Sequence, residues 1–414
     1  MLVTFVHSDL GIGGAELAMI NCAKALVSKN MQVEFIVAHY DRNRCFEETK
    51  KFKITTVCNW FPRHIFGKFH ALLAFFHIML ISIFIALFRT TSNHLFYRFF
   101  PIISETKKVD VVIIDQVSSA IPILRLFNYK TIFYCHYPDM LLCKLHTDYG
   151  FAIYRRLINM WERRSTNLAD FIIVNSKYTL EIAQKFLLDI DKHAVILHPV
   201  PCTSNYDEYK ADVCEKRLGI SQDDVIITSV NRFEKKKNIV LALAAFYKLI
   251  SNKLIKKNIH LVIAGGYDER LSENIEYYKE LTDMAHRLDI YENVVFLKNI
   301  NENMKRFLYK RSRCILYTPQ YEHFGIVPIE AMAIGCPVIA HNSGGPMETI
   351  VHDETGFLCD NDPHQFSQYM YDIITNDSLY SKFSKNSINL VQEKFSFSIF
   401  TDNLFKICDY VVNN

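Results

Sequence analysis

Two glutamates stand eight positions apart in a segment whose pattern could support ligand chemistry. Glu322 and Glu330 lie between an apolar run at residues 314–317 and another at residues 337–340, which predicts strand, loop, helix and strand in that order. Both carboxylates then lie near the carboxyl end of a strand, where open α/β sheets bind ligands. Turn amides and a helix N-terminus suit a phosphate there, and a carboxylate suits sugar hydroxyls. A solvated helix start with a capping carboxylate is the alternative interpretation.

A basic turn follows a second apolar run. Residues 225–230 are apolar or small and predict a strand, and Arg232 and Lys237 come directly after it, five positions apart. An arginine provides a planar fork of donors and a lysine a compact charge, so the two can converge on one diphosphate. A solvated basic loop is the alternative, because most runs of charge are solvated.

Two further strand ends carry distinctive residues. Gly13 and Gly14 follow the apolar run at residues 2–7, but a dinucleotide-binding fingerprint would need glycine where this chain has Glu16. A tight strand-to-helix turn explains the glycines equally well. His136 follows the apolar run at residues 131–135, and a lone histidine in such a place is more often structural than catalytic.

Together these strings resemble the retaining glycosyltransferases of family 4, which have the GT-B fold. The resemblance rests on the Glu-x7-Glu spacing of Glu322 and Glu330, the basic turn, the Gly-Gly-Ala-Glu loop, the His-x-Pro-Asp string and the glycine-rich string at residues 342–350. It implies that Arg232 and Lys237 bind the diphosphate of the donor. It further implies that Glu330 contacts the ribose and that Glu322 and His136 contact the donor sugar. Backbone contacts are expected from Gly13, Gly14, Phe324, Gly325 and Ile326. Glu322, His136, Lys237 and Arg232 are the expected catalytic residues.

The resemblance extends to members of the family that act on lipid-linked oligosaccharides. It implies GDP-mannose as the donor, a dolichyl-diphosphate oligosaccharide as the acceptor, α-1,3 and then α-1,6 transfer with retention, and a place on the cytosolic face of the endoplasmic reticulum membrane. Other mannosyltransferases of the early pathway are candidate partners. No cofactor or metal is expected, and the Asp-x-Asp tripeptides at residues 189–191 and 360–362 are interpreted as chance.

Three other functions remain open. A related family-4 transferase with another donor or linkage would carry the same motifs. A non-catalytic membrane subunit would keep the fold, but it would have no need of all the expected site residues. A nicotinamide dehydrogenase is disfavoured by Glu16.

Composition and pattern predict an α/β protein with two doubly wound, Rossmann-like domains facing across a cleft. The chain has 414 residues, enough for two domains, and its net charge of +3 gives no case for nucleic acid. Eleven cysteines without a regular framework indicate a reducing compartment. Because the first predicted strand begins at residue 2, no signal peptide is expected. The pattern predicts domains at residues 1–200 and 215–395, joined by a linker at 201–214. The resemblance implies that the first is the acceptor and membrane domain, that the second binds the nucleotide sugar, and that a helix at 396–414 returns to the first.

Strands are predicted in both halves and are continuous apolar runs, as parallel strands covered on both faces should be. The first half has them near residues 2–8, 32–40, 109–115, 131–137, 171–175 and 194–198. The second half has them near residues 225–231, 260–265, 294–298, 314–318, 337–341 and 356–359.

One segment departs from this pattern. Residues 69–88 form an apolar run long enough, as a helix, to cross a bilayer, with basic residues at both ends. Predicted strands of one sheet flank it, so both ends must be on the same side of a membrane and a single crossing is excluded. We expect the segment to lie in the membrane interface or to dip shallowly into the membrane, with side chains such as Phe75, Ile78 and Leu80 in lipid. A buried core helix is the alternative.

Overall fold

The protein folds into two compact α/β units. The computed structural model describes residues 1–62, 69–88, 108–142, 149–201 and 211–414. Unit 1 comprises Met1–Pro199 and Phe397–Asn414, and unit 2 comprises Val200–Ser396. Most of the expected linker, residues 202–210, lies outside the described residues, as do the basic residues that flank the apolar segment.

Unit 1 contains a parallel sheet of seven strands in the order β3-β2-β1-β4-β5-β6-β7. The strands are β1 Leu2–Asp9, β2 Gln32–His39, β3 Lys53–Thr56, β4 Val111–Asp115, β5 Thr131–Cys135, β6 Phe171–Val174 and β7 Ala194–Ile196. The order reverses between β1 and β4, so the carboxyl ends of these two neighbours form the switch point where such sheets bind ligands. The strand predictions for this half are confirmed. Strand β3 was missed because Ile54 is its sole apolar residue.

Helices cover both faces of this sheet. They are α1 Gly14–Ser28, α2 His70–Phe88, α3 Ile121–Leu126, α4 Asp139–Leu142, α5 Tyr149–Asn167 and α6 Lys177–Phe186, with 3-10 turns at Glu47–Lys51 and Ser118–Ala120. Helix α6 begins where the Ser176 hydroxyl accepts a hydrogen bond from the Thr179 amide, which satisfies one of the amides that a helix start leaves free.

The apolar segment forms α2 and packs against the sheet of unit 1. Ile78, Ile81 and Ile85 are fully buried in the same core as residues of β1, β2 and β4. The outer side remains apolar, with Phe76 48% and Ile83 41% exposed. Among the described residues α2 is the one helix long and apolar enough to cross a membrane, and 44% of its most apolar stretch is buried.

The packing of α2 corrects part of the sequence interpretation. Phe75 and Ile78 are buried, so they do not face lipid as expected. Strands β2 and β4 belong to one sheet, which confirms that a single crossing of a bilayer is excluded. The helix therefore combines the two alternatives, because one side belongs to the core and the other is apolar and exposed.

Unit 2 contains a parallel sheet of six strands in the order β10-β9-β8-β11-β12-β13. The strands are β8 Val225–Val230, β9 Ile259–Gly265, β10 Val294–Lys298, β11 Cys314–Tyr317, β12 Val338–His341 and β13 Gly356–Cys359. All six had been predicted. The order reverses between β8 and β11, which brings the ends of these strands together at the second switch point.

Eight helices flank this sheet in the described part of unit 2. They are α7 Ala211–Leu218, α8 Ile239–Ser251, α9 Ser272–Arg287, α10 Glu302–Arg311, α11 Ile326–Ala333, α12 Pro346–Thr349, α13 Pro363–Thr375 and α14 Asp377–Lys394, with 3-10 turns at Lys235–Lys237 and Tyr291–Asn293. The last helix, α15 Phe397–Asn413, belongs to unit 1 and packs on α1, where Lys29 and Asp402 form an ion pair of 2.7 Å.

Candidate active site

In unit 2 the basic turn and the first glutamate meet at the switch point. The turn after β8 carries Lys237, and the loop after β11 carries Glu322, whose carboxylate forms an ion pair with the Lys237 ammonium. The Thr318 hydroxyl donates to the Lys237 carbonyl at 2.9 Å and fixes the turn to the end of β11. Both charged side chains are largely buried, 13% and 19% exposed, so this contact is stronger than a surface ion pair.

The carboxylate of Glu322 is held in its charged form. Burial opposes ionisation, but the charge and hydrogen bond of Lys237, with help from His323 and the Tyr317 hydroxyl, outweigh burial and hold the pKa of Glu322 below its usual range. The site therefore presents an ionised carboxylate beside an ammonium group at neutral pH.

A glycine-rich loop positions the backbone of Glu322. The Gly345 amide donates to the Glu322 carbonyl at 2.8 Å, and the Ser343 hydroxyl accepts from the Tyr321 amide at 2.9 Å. Gly344 has φ +64°, and a Cβ atom there would lie 2.4 Å from the Glu322 carbonyl oxygen. This loop is part of the glycine-rich string at residues 342–350, and its glycines are required by close backbone contact.

The start of α11 also depends on a glycine. Gly325 precedes the helix with φ +81°, and a Cβ atom there would lie 3.1 Å from the Tyr317 ring. The Phe324 side chain is 5% exposed, so any contribution of Phe324 to a site comes from its backbone. Ile326 opens the helix and is partly buried.

The second glutamate has its own cation and hydroxyl. Glu330 is 3% exposed, and its two carboxylate oxygens lie 3.1 Å from the Lys305 ammonium and 2.9 Å from the Tyr309 hydroxyl. Burial would lower the pKa of Lys305, but the carboxylates of Glu330 and Glu302 outweigh it and raise that pKa. Both partners lie on α10, four positions apart and therefore on one face. Sequence reasoning missed them, although this spacing was a usable signal.

Arg232 is the exposed member of the basic turn. Its side chain is 60% exposed and pairs with Glu234 at 2.8 Å. The turn lies close against the end of β9, because a Cβ atom on Gly265 would lie 1.9 Å from the Asn231 carbonyl oxygen and one on Gly266 would lie 3.2 Å from Arg232. The guanidinium of Arg232 is thus exposed to solvent beside Glu234, while its backbone is packed against the end of β9.

In unit 1 the predicted histidine belongs to a buried network. His136 Nε2 lies 3.2 Å from one oxygen of Asp115, and His7 Nδ1 lies 2.6 Å from the other. His7 and Asp115 are fully buried, whereas the His136 side chain is 19% exposed. His7 and Asp115 end up side by side because β1 and β4 are neighbours at the switch point. Sequence reasoning did not select either residue.

The buried pair carries opposite charges. Burial would lower the pKa of His7, but the Asp115 carboxylate, with Glu16, raises it to about 10. Burial would raise the pKa of Asp115, but the effect of His7 and His136 is larger and lowers that pKa. An imidazolium and a carboxylate are therefore the forms present at neutral pH.

The glycine loop of unit 1 leaves space for Glu16. Gly13 precedes α1, and a Cβ atom at Gly13 would lie 2.3 Å from a Glu16 carboxylate oxygen. The other Glu16 oxygen lies 3.7 Å from His7 Nε2. In the described part of the chain, no atom would lie within 4 Å of a Cβ atom on Gly14. Gly13 thus allows the Glu16 carboxylate to approach the buried histidine.

The Asp-x-Asp tripeptides have structural roles. Asp189 pairs with Arg163 at 3.1 Å, and Asp362 caps α13 by accepting from the His364 amide at 2.9 Å. Within the described ranges, no group of three or more histidine, cysteine, aspartate or glutamate side chains is arranged to hold a metal ion.

Two family models match the chain, one over each half. The model described as Glycosyltransferase Family 4 matches residues 12–204, and the model described as Glycosyl transferases group 1 matches residues 212–390.

Curated relatives match along almost the whole length. The chain is 36% identical over 413 residues to alpha-1,3/1,6-mannosyltransferase ALG2 of Homo sapiens, covering 98% of this chain and 94% of the relative. It is 36% identical to the protein of that name in Dictyostelium discoideum, covering 97% and 96%. It is 34% identical to the one in Saccharomyces cerevisiae, covering 84% and 71%.

Solved glycosyltransferase structures share the fold. Sucrose-phosphate synthase from Thermosynechococcus elongatus superposes with a TM-score of 0.74 at 17% identity, covering 99% of this chain and 98% of that one. WaaG, a glycosyltransferase involved in lipopolysaccharide biosynthesis, superposes with a TM-score of 0.68 at 14% identity, covering all of both chains. The predicted fold class, GT-B with two Rossmann-like α/β domains, is confirmed.

Proposed function

The chain belongs to the family of α-1,3/1,6-mannosyltransferases, and from this premise we propose that it moves mannose from GDP-mannose onto a dolichyl-diphosphate oligosaccharide. The first mannose is added through an α-1,3 linkage and the second through an α-1,6 linkage. The observation that carries the proposal is the ion pair of Lys237 and Glu322 at the switch point of unit 2. An ammonium suited to a leaving diphosphate and a carboxylate suited to sugar hydroxyls lie side by side there, which supports the proposal.

Arg232 and Lys237 bind the diphosphate of the donor in this proposal. Lys237 is fixed through its carbonyl by Thr318, and the exposed Arg232 side chain can turn toward a ligand. As the bond from the sugar to the diphosphate breaks, negative charge grows on the leaving GDP. Cations already in place stabilise that charge more than they stabilise the ground state. The proposal requires no cofactor.

Glu322 faces the donor sugar and Glu330 the ribose. The lowered pKa of Glu322 keeps its carboxylate ionised, so it accepts hydrogen bonds from sugar hydroxyls and favours a positively charged sugar in the transition state. Glu330 is oriented by Lys305 and Tyr309. Backbone groups of Phe324, Gly325 and Ile326 complete the donor site.

Retention follows from attack on the face that the diphosphate leaves. The bond between the anomeric carbon and the diphosphate oxygen breaks while the acceptor hydroxyl oxygen bonds to the same face of that carbon. The acceptor proton passes to the departing phosphate oxygen, so the step needs no carboxylate nucleophile. His136 contacts the donor mannose, and Gly13 and Gly14 approach the sugar and phosphate through their backbone.

We place the enzyme at the cytosolic face of the endoplasmic reticulum membrane. The exposed apolar side of α2, with Phe76 and Ile83, supports contact with the membrane interface, and the buried side supports a helix that lies on the surface. The acceptor is anchored in the same membrane by its dolichol. Neighbouring mannosyltransferases of the pathway are proposed partners.

The test is transfer by the full chain reconstituted in lipid, with GDP-mannose and a polyprenyl-diphosphate chitobiose-mannose acceptor. The products are sized and then digested with linkage-specific mannosidases. Growth by two mannoses, one removed by α-1,3 and one by α-1,6 digestion, is expected. The proposal is wrong if this acceptor does not grow while transfer from another sugar nucleotide or to another acceptor occurs.

A further inference from the structure

The buried network of His7, Asp115 and His136 in unit 1 ends at His136. His7 contacts one oxygen of Asp115 at 2.6 Å, and His136 contacts the other at 3.2 Å. The two inner residues are inaccessible to solvent, and the His136 side chain is partly exposed. His7 also lies 2.9 Å from the Asp9 carbonyl and 3.7 Å from Glu16 through Nε2. No substrate can reach His7 or Asp115 directly, so any effect they have on the reaction must act through His136.

The charges of His7 and Asp115 in this network determine which nitrogen of His136 carries a proton. An ionised carboxylate accepts hydrogen bonds and does not donate them. His7 in its charged form donates to one Asp115 oxygen, and the other oxygen then requires a donor from His136. Nε2 of His136 must therefore be protonated. In the neutral ring this leaves Nδ1 with a lone pair that can accept a hydrogen bond.

The backbone of His136 is held from another strand. The Asn175 side-chain amide, at the end of β6, donates to the His136 carbonyl at 2.9 Å. Asn175 is 6% exposed, and its side-chain oxygen is buried without a hydrogen-bond partner in the described part of the chain. The His136 ring also lies against Tyr134, with ring centroids 4.6 Å apart. The ring and the carbonyl of His136 are thus fixed independently.

We propose that His7, Asp115 and Asn175 are positioning residues that hold His136 in one orientation and in the Nε2-protonated tautomer, presenting Nδ1 as an acceptor to a substrate hydroxyl. The identity of that substrate rests on the proposed mannosyl transfer, whereas the tautomer and orientation do not. Because catalysis depends on donors and acceptors that are already oriented, loss of this support should lower turnover more than donor affinity.

The decisive variant is Asp115→Asn. An amide of the same shape has a single acceptor oxygen, so with that oxygen facing His7 it presents its NH₂ group to His136. The proton of His136 must then move to Nδ1. We expect kcat to fall about 100-fold or more, as expected when a supporting carboxylate is lost and the tautomer changes, with KM for the donor nearly unchanged.

Nuclear magnetic resonance reads the tautomer without any substrate. The protein is labelled with ¹⁵N-histidine, and the His136 signals are assigned by their loss in His136→Gln. The protonated nitrogen should be Nε2 in the wild type and Nδ1 in Asp115→Asn. If the wild type failed to transfer mannose, this measurement would still support or overturn the positioning role.

A matched control is available in unit 2. Asp224 accepts from His260 Nε2 at the same 3.2 Å, but it precedes β8 at the opposite end of the strand from the candidate site. Asp224→Asn should leave kcat within about twofold of wild type. Equal losses in Asp115→Asn and Asp224→Asn would overturn the proposal, as would a wild-type His136 proton on Nδ1.

Asn175→Ala tests the second support and does not leave a charge unpaired. It should lower kcat about tenfold and leave the His136 proton on Nε2, because only the carbonyl contact is lost. Should Asp115→Asn fail to fold, the kcat of Asn175→Ala and the tautomer of His136 in the wild type still test the positioning role. Unchanged kcat in Asn175→Ala would remove that residue from the proposal.

Discussion

The ammonium of Lys237 is a largely buried cation of the candidate site. The Thr318 hydroxyl fixes its turn, and its ammonium forms an ion pair with the Glu322 carboxylate. Lys237→Ala should lower kcat about 100-fold or more, because charge on the leaving diphosphate loses its nearest fixed cation. Lys236→Ala is the matched control, since that neighbour is 66% exposed and pairs with Glu234. Steady-state kinetics with GDP-mannose measures both, and similar rates for the two variants would remove Lys237 from the site.

His7 gives the stability of unit 1 a characteristic dependence on pH. Its pKa is about 10 in the folded protein and about 6.5 when unfolded, so the folded state binds the proton more tightly. The stabilisation is complete below pH 6.5 and is lost as the pH rises through 10. Melting temperatures from pH 7 to 10 should fall in the wild type and fall less in His7→Gln. Parallel curves would contradict a charged His7.

Single residues also show how far local sequence reasoning extends. Lys237 and His136 were selected because they follow apolar runs, and Glu322 because it follows such a run and stands eight positions before Glu330. These signals lie within short stretches of sequence. Asp115, the partner of His136, and Tyr309, the partner of Glu330, are buried and each lie 21 residues from the side chain that they contact, so no local string indicates these contacts. The i, i+4 pair of Lys305 and Tyr309 was visible, but its contact with Glu330 depends on how α10 packs beside α11.

At the scale of elements, the glycine-rich loop after β12 determines the position of Glu322. Gly344→Ala should lower kcat at least tenfold, because a Cβ atom there would displace the Glu322 backbone. Gly219→Ala is a control with the same backbone strain, since Gly219 has φ +67° and no atom of the described residues lies within 4 Å of its Cβ position. The positive φ should cost each variant about 1–2 kcal/mol of stability, and Gly344→Ala should lose more because its Cβ atom also meets the Glu322 backbone. Retained activity in Gly344→Ala, measured beside Gly219→Ala, would refute the role of the loop.

Helix α2 shows what composition leaves open. A uniformly apolar run does not reveal which side packs on the sheet, so Phe75 and Ile78 were expected in lipid and are instead buried. Replacing Phe76 and Ile83 by glutamine should release the protein from lipid vesicles at an unchanged melting temperature. Ile78→Gln should lower that temperature, because it buries an amide in the core. Vesicle flotation that is unaffected by the outer pair would favour a purely structural helix.

At the scale of the whole molecule, strand order creates the sites. The strands themselves were predictable because continuous apolar runs mark parallel strands buried on both faces. The adjacency of His7 and Asp115, 108 residues apart, follows from β1 and β4 being neighbours. The strand order cannot be read from a single sequence, but in doubly wound sheets the order reverses beside the first strand. A polar residue ending β1 and another ending β4 were therefore the signal for this network.

The chain also returns to its first unit, so unit 1 is completed by Phe397–Asn414, which come after unit 2 in the sequence. Leu404 is fully buried in α15, which packs on α1, whereas Asn403 beside it is exposed. Leu404→Ala should cost about 2–5 kcal/mol of unfolding free energy, and Asn403→Ala very little. Hydrogen exchange should report the loss in β1, β2 and β4 of unit 1, with β8 to β13 of unit 2 unchanged, because α15 is part of unit 1. Equal loss of protection in both units would show that they unfold together. It would contradict the prediction that α15 stabilises unit 1 alone.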